Sequence, residues 1–199
     1  MLDSYRAKVD SILTPIAQAL GFLSPNTISI ISLISAGLTG IFFYLNYLYL
    51  SLLFLIISAL FDAVDGKLAR IQGKSSKRGD FIDHSFDRFS DVFILLGFTF
   101  SRYANVDLGI FALIGVILTS YMGTQAQALG LNRLYAGIMG RADRLVLMVI
   151  FIALQIPIGI IVRFPFLTLT PTNLMLLIFG ILGSATVVQR FYIIFKELR

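Results

Sequence analysis

The sequence predicts an all-α integral membrane protein with six transmembrane helices, preceded by an amphipathic helix at the membrane surface. Of its 199 residues, 57% are hydrophobic and only 14% are charged, whereas soluble domains have roughly 25% charged residues. A membrane-spanning helix needs about 20 apolar residues, so six spans fit this length with short loops between them. The composition excludes a soluble globular fold, and we expect one membrane domain over residues 1–199.

The surface helix is expected within residues 1–23. Charged residues there alternate with apolar residues that recur at helical spacing, which is typical of a helix lying along the membrane. The apolar positions are Tyr5, Val9, Ile12, Leu13, Ile16 and Leu20. A cleaved signal peptide has a basic start followed by an apolar run. This segment carries Asp3 and Asp10 and lacks that pattern, so it does not resemble a signal peptide.

Six apolar segments follow, and they form a predicted bundle over residues 27–194. Turn-forming residues separate them, among them Asn46 after the first segment and Pro165 and Pro171 before the last. The predicted spans are residues 27–46, 48–71, 80–102, 108–128, 143–163 and 172–194.

The distribution of lysine and arginine supports this topology. If the N-terminus is cytoplasmic, fourteen of the sixteen cations lie on the cytoplasmic side, and only Arg102 and Arg163 lie outside. Membrane proteins carry such an excess on their cytoplasmic side, and six spans fit it better than five or seven. We therefore expect a protein of the cell membrane with both termini in the cytoplasm and no nucleic-acid partner.

Most of the acidic residues lie close together, at the cytoplasmic ends of the second and third spans. Six of the eleven fall within thirty positions, namely Asp62, Asp65, Asp80, Asp83, Asp87 and Asp91. Spacings of three and four residues put the carboxylates of each span on one helix face. Gly66 and Ala69 continue the face of the second span and leave room for a ligand.

Carboxylates below the membrane surface require a compensating cation, since one ionised aspartate at the bilayer centre costs about 3 kcal/mol. The sequence has no cysteine and one histidine, so oxygen ligands predominate and favour Mg²⁺ or Mn²⁺ over zinc. Four carboxylates could hold two ions. His84 is expected to bond a neighbour rather than a metal, and Asp80 and Asp91 are expected to pair with arginines.

The acidic residues are also consistent with two functions that involve no metal. They could pair with nearby lysines and arginines to hold a non-enzymatic bundle together, or relay protons in a coupled transporter. Neither function requires the small residues Gly66 and Ala69 beside the acids.

The residues around the carboxylates also match a family signature. The pattern is Asp62-x-x-Asp65-Gly66-x-x-Ala69-Arg70, eight further residues, then Gly79-x-x-x-Asp83-x-x-x-Asp87. It resembles the signature of the CDP-alcohol phosphatidyltransferases, which lies in the second and third of six helices. The resemblance implies transfer of a phospholipid moiety from a CDP-linked lipid to an alcohol, with release of CMP and divalent-metal catalysis. It also suggests a homodimer.

The resemblance implies roles for individual residues. Asp62, Asp65, Asp83 and Asp87 would be metal ligands, and Asp87 would also be the general base for the attacking hydroxyl. The residues expected to contact the CDP-lipid are Asn26, Thr27, Ser29, Gly66, Arg70, Ser76 and Gly79. An alternative for Asn26 is that it simply caps the first span.

The acceptor alcohol is expected at the cytoplasmic ends of the fourth and fifth spans, where Arg133, Arg141 and Arg144 cluster. The guanidinium fork suits phosphate oxygens, and Arg141 and Arg144 share one face at a helix start. The stretch Gly140–Arg144 resembles an element of the inositol-phosphate-using branch of the family. We therefore expect inositol phosphate as acceptor, with glycerol 3-phosphate or an unphosphorylated alcohol as alternatives. The donor is CDP-diacylglycerol or CDP-archaeol, between which the apolar helix faces do not discriminate.

Overall fold

The computed structural model describes residues 6–74, 76–132, 134, 136–160, 162–163 and 168–198. Within these residues the chain forms seven helices and one short antiparallel hairpin. The helices are α1 (Arg6–Ala19), α2 (Pro25–Tyr44), α3 (Leu48–Ile71), α4 (Lys77–Thr99), α5 (Val106–Ala128), α6 (Arg141–Ile158) and α7 (Pro171–Glu197). In the hairpin, β1 (Val162–Arg163) pairs with β2 (Thr168–Leu169).

The prediction of a helical membrane protein is confirmed. By length and composition, α2, α3, α5 and α7 are long and apolar enough to cross a membrane. In the other two long helices, α4 and α6, charged residues fall within every stretch long enough to span, among them the acidic residues of α4 and the arginines at the start of α6. The apolar criterion alone therefore gives four candidate spans in the described chain, whereas the sequence predicted six.

The helix that contains the first predicted span begins two residues early, at Pro25, because the preceding serine caps it. The side chain of Ser24 accepts a 3.2 Å hydrogen bond from the backbone N–H of Thr27. Proline is favoured at the first helical position because its missing N–H is not needed there. Ser24 is thus the N-cap, and the alternative that Asn26 caps this helix is wrong.

Helix α4 also begins earlier than predicted, at Lys77 instead of residue 80. Ser76 is its N-cap, because its hydroxyl oxygen accepts a 3.1 Å hydrogen bond from the backbone N–H of Gly79. The cap fixes the residue at which α4 begins, just before the first of its aspartates.

The prediction that the fifth span continues to residue 163 is wrong. Helix α6 ends at Ile158, where Gly159 adopts a positive φ of 63°, a conformation that suits glycine. The Gln155 side chain donates a 2.5 Å hydrogen bond to the Gly159 carbonyl and accepts one from the backbone N–H of Thr172. The chain therefore turns toward α7 at this point, and Arg163 lies in β1.

The most extensive helix contacts join α2 to α3, α5 to α7 and α2 to α4. Where α2 crosses α4, Gly40 and Gly97 bring the two backbones together, and a Cβ atom on either residue would overlap the other helix. Phe43 and Phe98 pack edge to face beside this crossing, with ring centroids 4.4 Å apart. This close packing joins α2 and α4 near their C-terminal ends, while the candidate site lies where the two helices begin.

Helix α1 packs against α3, with Ala17 buried in a cluster that includes Val64 and Leu68. The Gln72 side chain donates hydrogen bonds to the carbonyls of Gly21 and Leu23, which fixes the turn between α1 and α2. Residues 1–5 of the predicted surface helix lie outside the described residues.

Candidate active site

A cavity of about 400 Å³ opens where α2 and α4 begin and α3 ends. Six of the seven residues predicted to contact a CDP-lipid line it: Asn26, Ser29, Gly66, Arg70, Ser76 and Gly79. The predicted metal ligands Asp65 and Asp83 line it as well. We refer to it as the donor cavity.

Thr27 is the seventh predicted contact, and it is not among the residues that line the donor cavity. Its hydroxyl oxygen lies 2.8 Å from the hydroxyl oxygen of Ser24, and its backbone N–H is bound to the same side chain. Thr27 therefore belongs to the cap of α2, and the structure gives no support for a contact with the ligand.

Asp65 and Ser29 form a buried polar contact in the wall of the donor cavity. The Ser29 hydroxyl donates a 2.5 Å hydrogen bond to Oδ2 of Asp65. The relative exposure of Asp65 is only 4% and that of Ser29 is 6%. The bond connects α2 to α3 and holds this carboxylate in one orientation.

Gly66 and Arg70 lie one turn apart on α3 at the edge of the same cavity. A Cβ atom built on Gly66 would meet no atom within 4 Å, so the glycine leaves open space. The Nε atom of Arg70 donates a 3.1 Å hydrogen bond to the Gly66 carbonyl. The sequence-based expectation that small residues here make room agrees with this geometry.

Arg141 joins the acidic residues of two helices. Its Nη1 atom lies 2.5 Å from Oδ2 of Asp62 on α3 and 2.5 Å from Oδ1 of Asp87 on α4. Asp87 also pairs with Arg88 at 3.0 Å. Two of the predicted metal ligands therefore face each other across one guanidinium nitrogen of Arg141. The sequence had predicted that this arginine binds the acceptor phosphate.

Arg144 makes a second ion pair between α6 and α4. Its Nη2 atom lies 2.7 Å from Oδ2 of Asp91, and the side chains of the pair are only 3% and 2% exposed. The predicted pairing of Asp91 with an arginine is therefore confirmed. In this structure both Arg141 and Arg144 are bound to carboxylates, and their binding of the acceptor phosphate stays a prediction.

The local structure of α6 explains how both arginines reach α4. The side chain of Asp143 accepts a 3.0 Å hydrogen bond from the backbone N–H of Gly140 and caps the helix. Because Arg141 and Arg144 are three residues apart, they leave the capped first turn on one face. Helix α6 also packs against α3, which brings Arg141 to Asp62.

Among the described residues, one group has ligand atoms within 4.8 Å of one another, and it consists of Asp83, His84 and Asp87. His84 Nδ1 lies 3.6 Å from Oδ2 of Asp83. Carboxylate oxygens are the ligands that Mg²⁺ and Mn²⁺ prefer, and an imidazole nitrogen is compatible with Mn²⁺. These residues fit a divalent ion. Only two of the four predicted carboxylates belong to this group, and its third member, His84, was expected to bond a neighbour and not a metal.

A second cavity of about 170 Å³ lies on the other side of these residues. Four arginines line it together with a histidine and one carboxylate: Arg88, Arg141, Arg144, Arg190, His84 and Asp87. The excess of positive charge is complementary to an anion. Asp83 lines the donor cavity and Asp87 lines this second cavity, so the two carboxylates, one turn apart on α4, stand at the boundary between them. We refer to the second cavity as the arginine cavity.

Arg190 contributes to the arginine cavity from α7 and is not among the site residues predicted from the sequence. It is buried, its Nε atom donates a 2.7 Å hydrogen bond to the Ala136 carbonyl, and Nη1 donates a 2.6 Å bond to the Thr119 carbonyl. The signal that could have found it is a charged residue within an apolar span, which is costly unless it has a function. Arg133, the third predicted acceptor residue, lies outside the described residues.

Comparison with known proteins identifies the family. The sequence profile of the CDP-alcohol phosphatidyltransferases matches residues 22–188. The chain belongs to the CDP-alcohol phosphatidyltransferase family. The resemblance inferred from the signature is thereby confirmed, and membership favours a transferase over a non-enzymatic bundle or a transporter.

Two curated relatives have similar sequences. The archaetidylinositol phosphate synthase of Pyrococcus horikoshii is 37% identical over 155 residues, which cover 77% of this chain and 81% of the relative. The phosphatidylinositol phosphate synthase of Cutibacterium acnes is 30% identical over 200 residues, covering 96% and 95% of the two chains.

The fold is also similar to that of solved structures. A crystal structure of Mycobacterium tuberculosis phosphatidylinositol phosphate synthase with CDP-DAG bound has a TM-score of 0.76 and 24% identity, covering 92% of this chain and 94% of the other. A structure of the same enzyme with manganese and citrate has a TM-score of 0.77. At this identity the likeness shows that the fold is shared.

Proposed function

We propose that this transferase moves a phospholipid moiety from a CDP-linked lipid to the hydroxyl of inositol phosphate, with release of CMP. The observation that carries the proposal is the position of the α4 carboxylates, between a donor cavity that contains the signature residues and a cavity with four arginines. The names of the relatives from Pyrococcus horikoshii and Cutibacterium acnes support inositol phosphate over glycerol 3-phosphate as the acceptor.

The donor end of the reaction is assigned to the donor cavity. Ser29, Ser76 and Arg70 supply two hydroxyls and a guanidinium to the lining, groups that suit the phosphates and hydroxyls of a CDP moiety. Gly66 provides the open space in which that moiety would lie. This assignment makes the start of α2, the end of α3 and the start of α4 one nucleotide site.

A divalent ion, Mg²⁺ or Mn²⁺, would be held by Asp62, Asp65, Asp83 and Asp87, four carboxylates that could hold two ions, and it would neutralise the pyrophosphate and the departing CMP. The bound manganese in the structurally similar Mycobacterium tuberculosis enzyme supports this choice. Ser29 holds the carboxylate of Asp65 in place for it through the 2.5 Å hydrogen bond.

Asp87 is assigned as the general base, because it lines the cavity in which the acceptor would bind. Its carboxylate takes the proton of the acceptor hydroxyl, and the hydroxyl oxygen attacks the phosphorus that bears the lipid. A new phosphorus–oxygen bond forms, the bond to the CMP oxygen breaks, and CMP leaves with the electron pair.

The acceptor phosphate is assigned to the arginine cavity. Arg190 and Arg141 present guanidinium groups there from two different helices, and such groups bind phosphate oxygens through paired hydrogen bonds. Arg144 is held by Asp91 at 2.7 Å, and its role in this proposal is to fix α6 beside α4.

The membrane arrangement that accompanies this function has six spans, α2 to α7, with α1 along the cytoplasmic surface and both termini and the site in the cytoplasm. The charged residues of α6 lie in its first turn and those of α4 lie in the part of the helix that carries the site, which supports counting both helices as spans. We also propose that the protein is a homodimer, as the family resemblance suggests.

The acceptor is tested by measuring CMP release from one CDP-lipid with four alcohols offered separately: inositol phosphate, glycerol 3-phosphate, inositol and serine. We expect inositol phosphate to give the highest kcat/KM. A higher value for glycerol 3-phosphate would replace the acceptor and leave the enzyme class intact.

A further inference from the structure

We infer that Arg141 is an exchangeable cation, which holds Asp62 and Asp87 in the absence of substrates and moves to the acceptor phosphate when a divalent metal takes these carboxylates. The inference rests on the proposed function and adds to it a coupling between two ligands. Metal binding would release Arg141 from the two carboxylates, so that it can bind the acceptor phosphate. Binding of the acceptor would in turn draw Arg141 away from the carboxylates that the metal needs.

The geometry of Arg141 supports direct competition. A single nitrogen, Nη1, lies 2.5 Å from one oxygen of Asp62 and 2.5 Å from one oxygen of Asp87. These are two of the carboxylates assigned to the metal, and they come from different helices. A metal ion bound to both oxygens and this guanidinium nitrogen cannot share the same position, and two cations this close also repel each other strongly.

The acceptor phosphate, to which Arg141 would move, is assigned to a place within reach of the arginine side chain. The residue also lines the arginine cavity, to which the acceptor phosphate is assigned. Rotation of the side chain could therefore exchange carboxylates for phosphate without a shift of helix α6. Asp143, which accepts a hydrogen bond from the backbone N–H of Gly140, keeps the first turn of α6 formed in either state.

Arg144 provides the contrast that identifies Arg141 as the movable residue. The Arg144 side chain is 3% exposed and is paired with Asp91, which is equally enclosed. The Arg141 side chain is 21% exposed, and its partner Asp62 is 22% exposed. Arg144 therefore holds α6 in place, while Arg141 lies between the carboxylates and the arginine cavity.

Thermodynamic linkage gives the size and symmetry of the expected effect. If the acceptor raises the affinity for metal by some factor, metal raises the affinity for the acceptor by the same factor. Couplings of this kind are typically 5- to 150-fold. We expect about tenfold, because one guanidinium group is exchanged.

The test measures Mn²⁺ binding to the full-length protein in detergent, by calorimetry, without CDP-lipid so that no turnover occurs. In the wild-type protein, inositol phosphate should tighten Mn²⁺ binding about tenfold, and Mn²⁺ should tighten inositol phosphate binding equally. Arg141→Gln should bind Mn²⁺ more tightly than the wild type, and inositol phosphate should no longer change its affinity.

Arg88→Gln is the matched control. Arg88 also pairs with Asp87, at 3.0 Å, and lines the same cavity, but this ion pair joins two neighbouring residues of α4. Arg88→Gln removes one positive charge near the metal ligands but leaves Arg141 in place, so it tests whether general repulsion between Mn²⁺ and nearby arginines explains the effect. We expect this variant to retain the effect of inositol phosphate on Mn²⁺ binding. Thermal unfolding of both variants checks that they are folded.

The outcomes separate this inference from the proposed function. If the wild type binds Mn²⁺ and releases CMP, but inositol phosphate leaves Mn²⁺ affinity unchanged or Arg141→Gln retains the full coupling, the exchange is wrong and the function stands. If the wild type binds no Mn²⁺, both are wrong. The reciprocal measurement in the wild type decides the question even if the variant does not fold.

Discussion

The hydroxyl of Ser29 in α2 donates a 2.5 Å hydrogen bond to Oδ2 of Asp65 in α3. Both residues line the donor cavity and both are buried. This bond orients one carboxylate of the family signature from a neighbouring helix, so the donor site depends on α2 as well as on the signature itself.

Ser29→Ala should therefore impair the site beyond its effect on stability. We expect a loss of about 1 kcal/mol in the free energy of unfolding, the usual contribution of one hydrogen bond, and a clear rise in KM for the CDP-lipid. Ser32→Ala is the control, because Ser32 donates to the Ser58 carbonyl and also joins α2 to α3, outside the cavity. Equal kinetic effects in the two variants would contradict the role of Ser29.

Gly66→Ala should separate binding from folding. Alanine is favoured over glycine in a helix by about 1 kcal/mol, and the added Cβ would meet no protein atom within 4 Å. We expect unchanged or higher thermal stability together with a raised KM for the CDP-lipid. Gly37→Ala, with its nearest contact an ordinary 3.9 Å, serves as control and should leave KM unchanged. A normal KM in Gly66→Ala would show that this space is not occupied by the donor.

Asp87→Asn should abolish CMP release without unfolding the protein. The amide keeps the shape of the side chain but cannot accept the proton of the acceptor hydroxyl, and general-base catalysis contributes about 10²- to 10⁴-fold. We expect kcat to fall at least 100-fold, measured as CMP released over time. The control is Asp107→Asn in the first turn of α5, which removes a carboxylate remote from the site and should retain wild-type kcat. Turnover near wild type in Asp87→Asn would remove Asp87 from the mechanism.

Arg190→Gln should weaken binding of the acceptor while the donor is unaffected. Arg190 lines the arginine cavity but not the donor cavity, so KM for inositol phosphate should rise about tenfold or more, consistent with the loss of a charge-assisted hydrogen bond. Arg190→Lys, which keeps the charge, should recover part of that loss. A parallel rise in both KM values would instead indicate that Arg190 only supports the carbonyls of Thr119 and Ala136.

The helices and the donor site could be predicted from the sequence because they depend on local patterns. Apolar segments of about 20 residues predict spans whatever their neighbours are. The spacing of Asp62 and Asp65 on one helix, and of Asp83 and Asp87 on the next, fixes which side chains share a face. Six of the seven predicted donor contacts accordingly line one cavity.

The ion pairs of α6 could not be predicted, because they depend on which helices pack together. The sequence shows that Arg141 and Arg144 share a face, but not that α6 packs against α3. Without that contact, arginines at a helix start are equally consistent with phosphate binding and with the cytoplasmic excess of positive charge. The pairing of Arg141 with Asp62 is a property of the tertiary fold.

The end of α6 was predicted wrongly for a different reason. The segment after Gly159 is as apolar as the helix before it, so hydropathy alone extends the span to residue 163. Helix termination depends here on a positive φ at Gly159 and on the side chain of Gln155, which no window of hydropathy records.

The proposed transfer is tested most directly by measuring both products of the reaction in one sample. Purified protein in vesicles that contain a CDP-lipid is supplied with inositol phosphate and Mg²⁺ or Mn²⁺, and CMP and the lipid product are quantified by mass spectrometry. We expect equal amounts of CMP and of the inositol-phosphate lipid, and neither product when the metal is chelated. Release of CMP without the inositol-phosphate lipid, or no release with any phosphorylated alcohol, would contradict the proposed transfer.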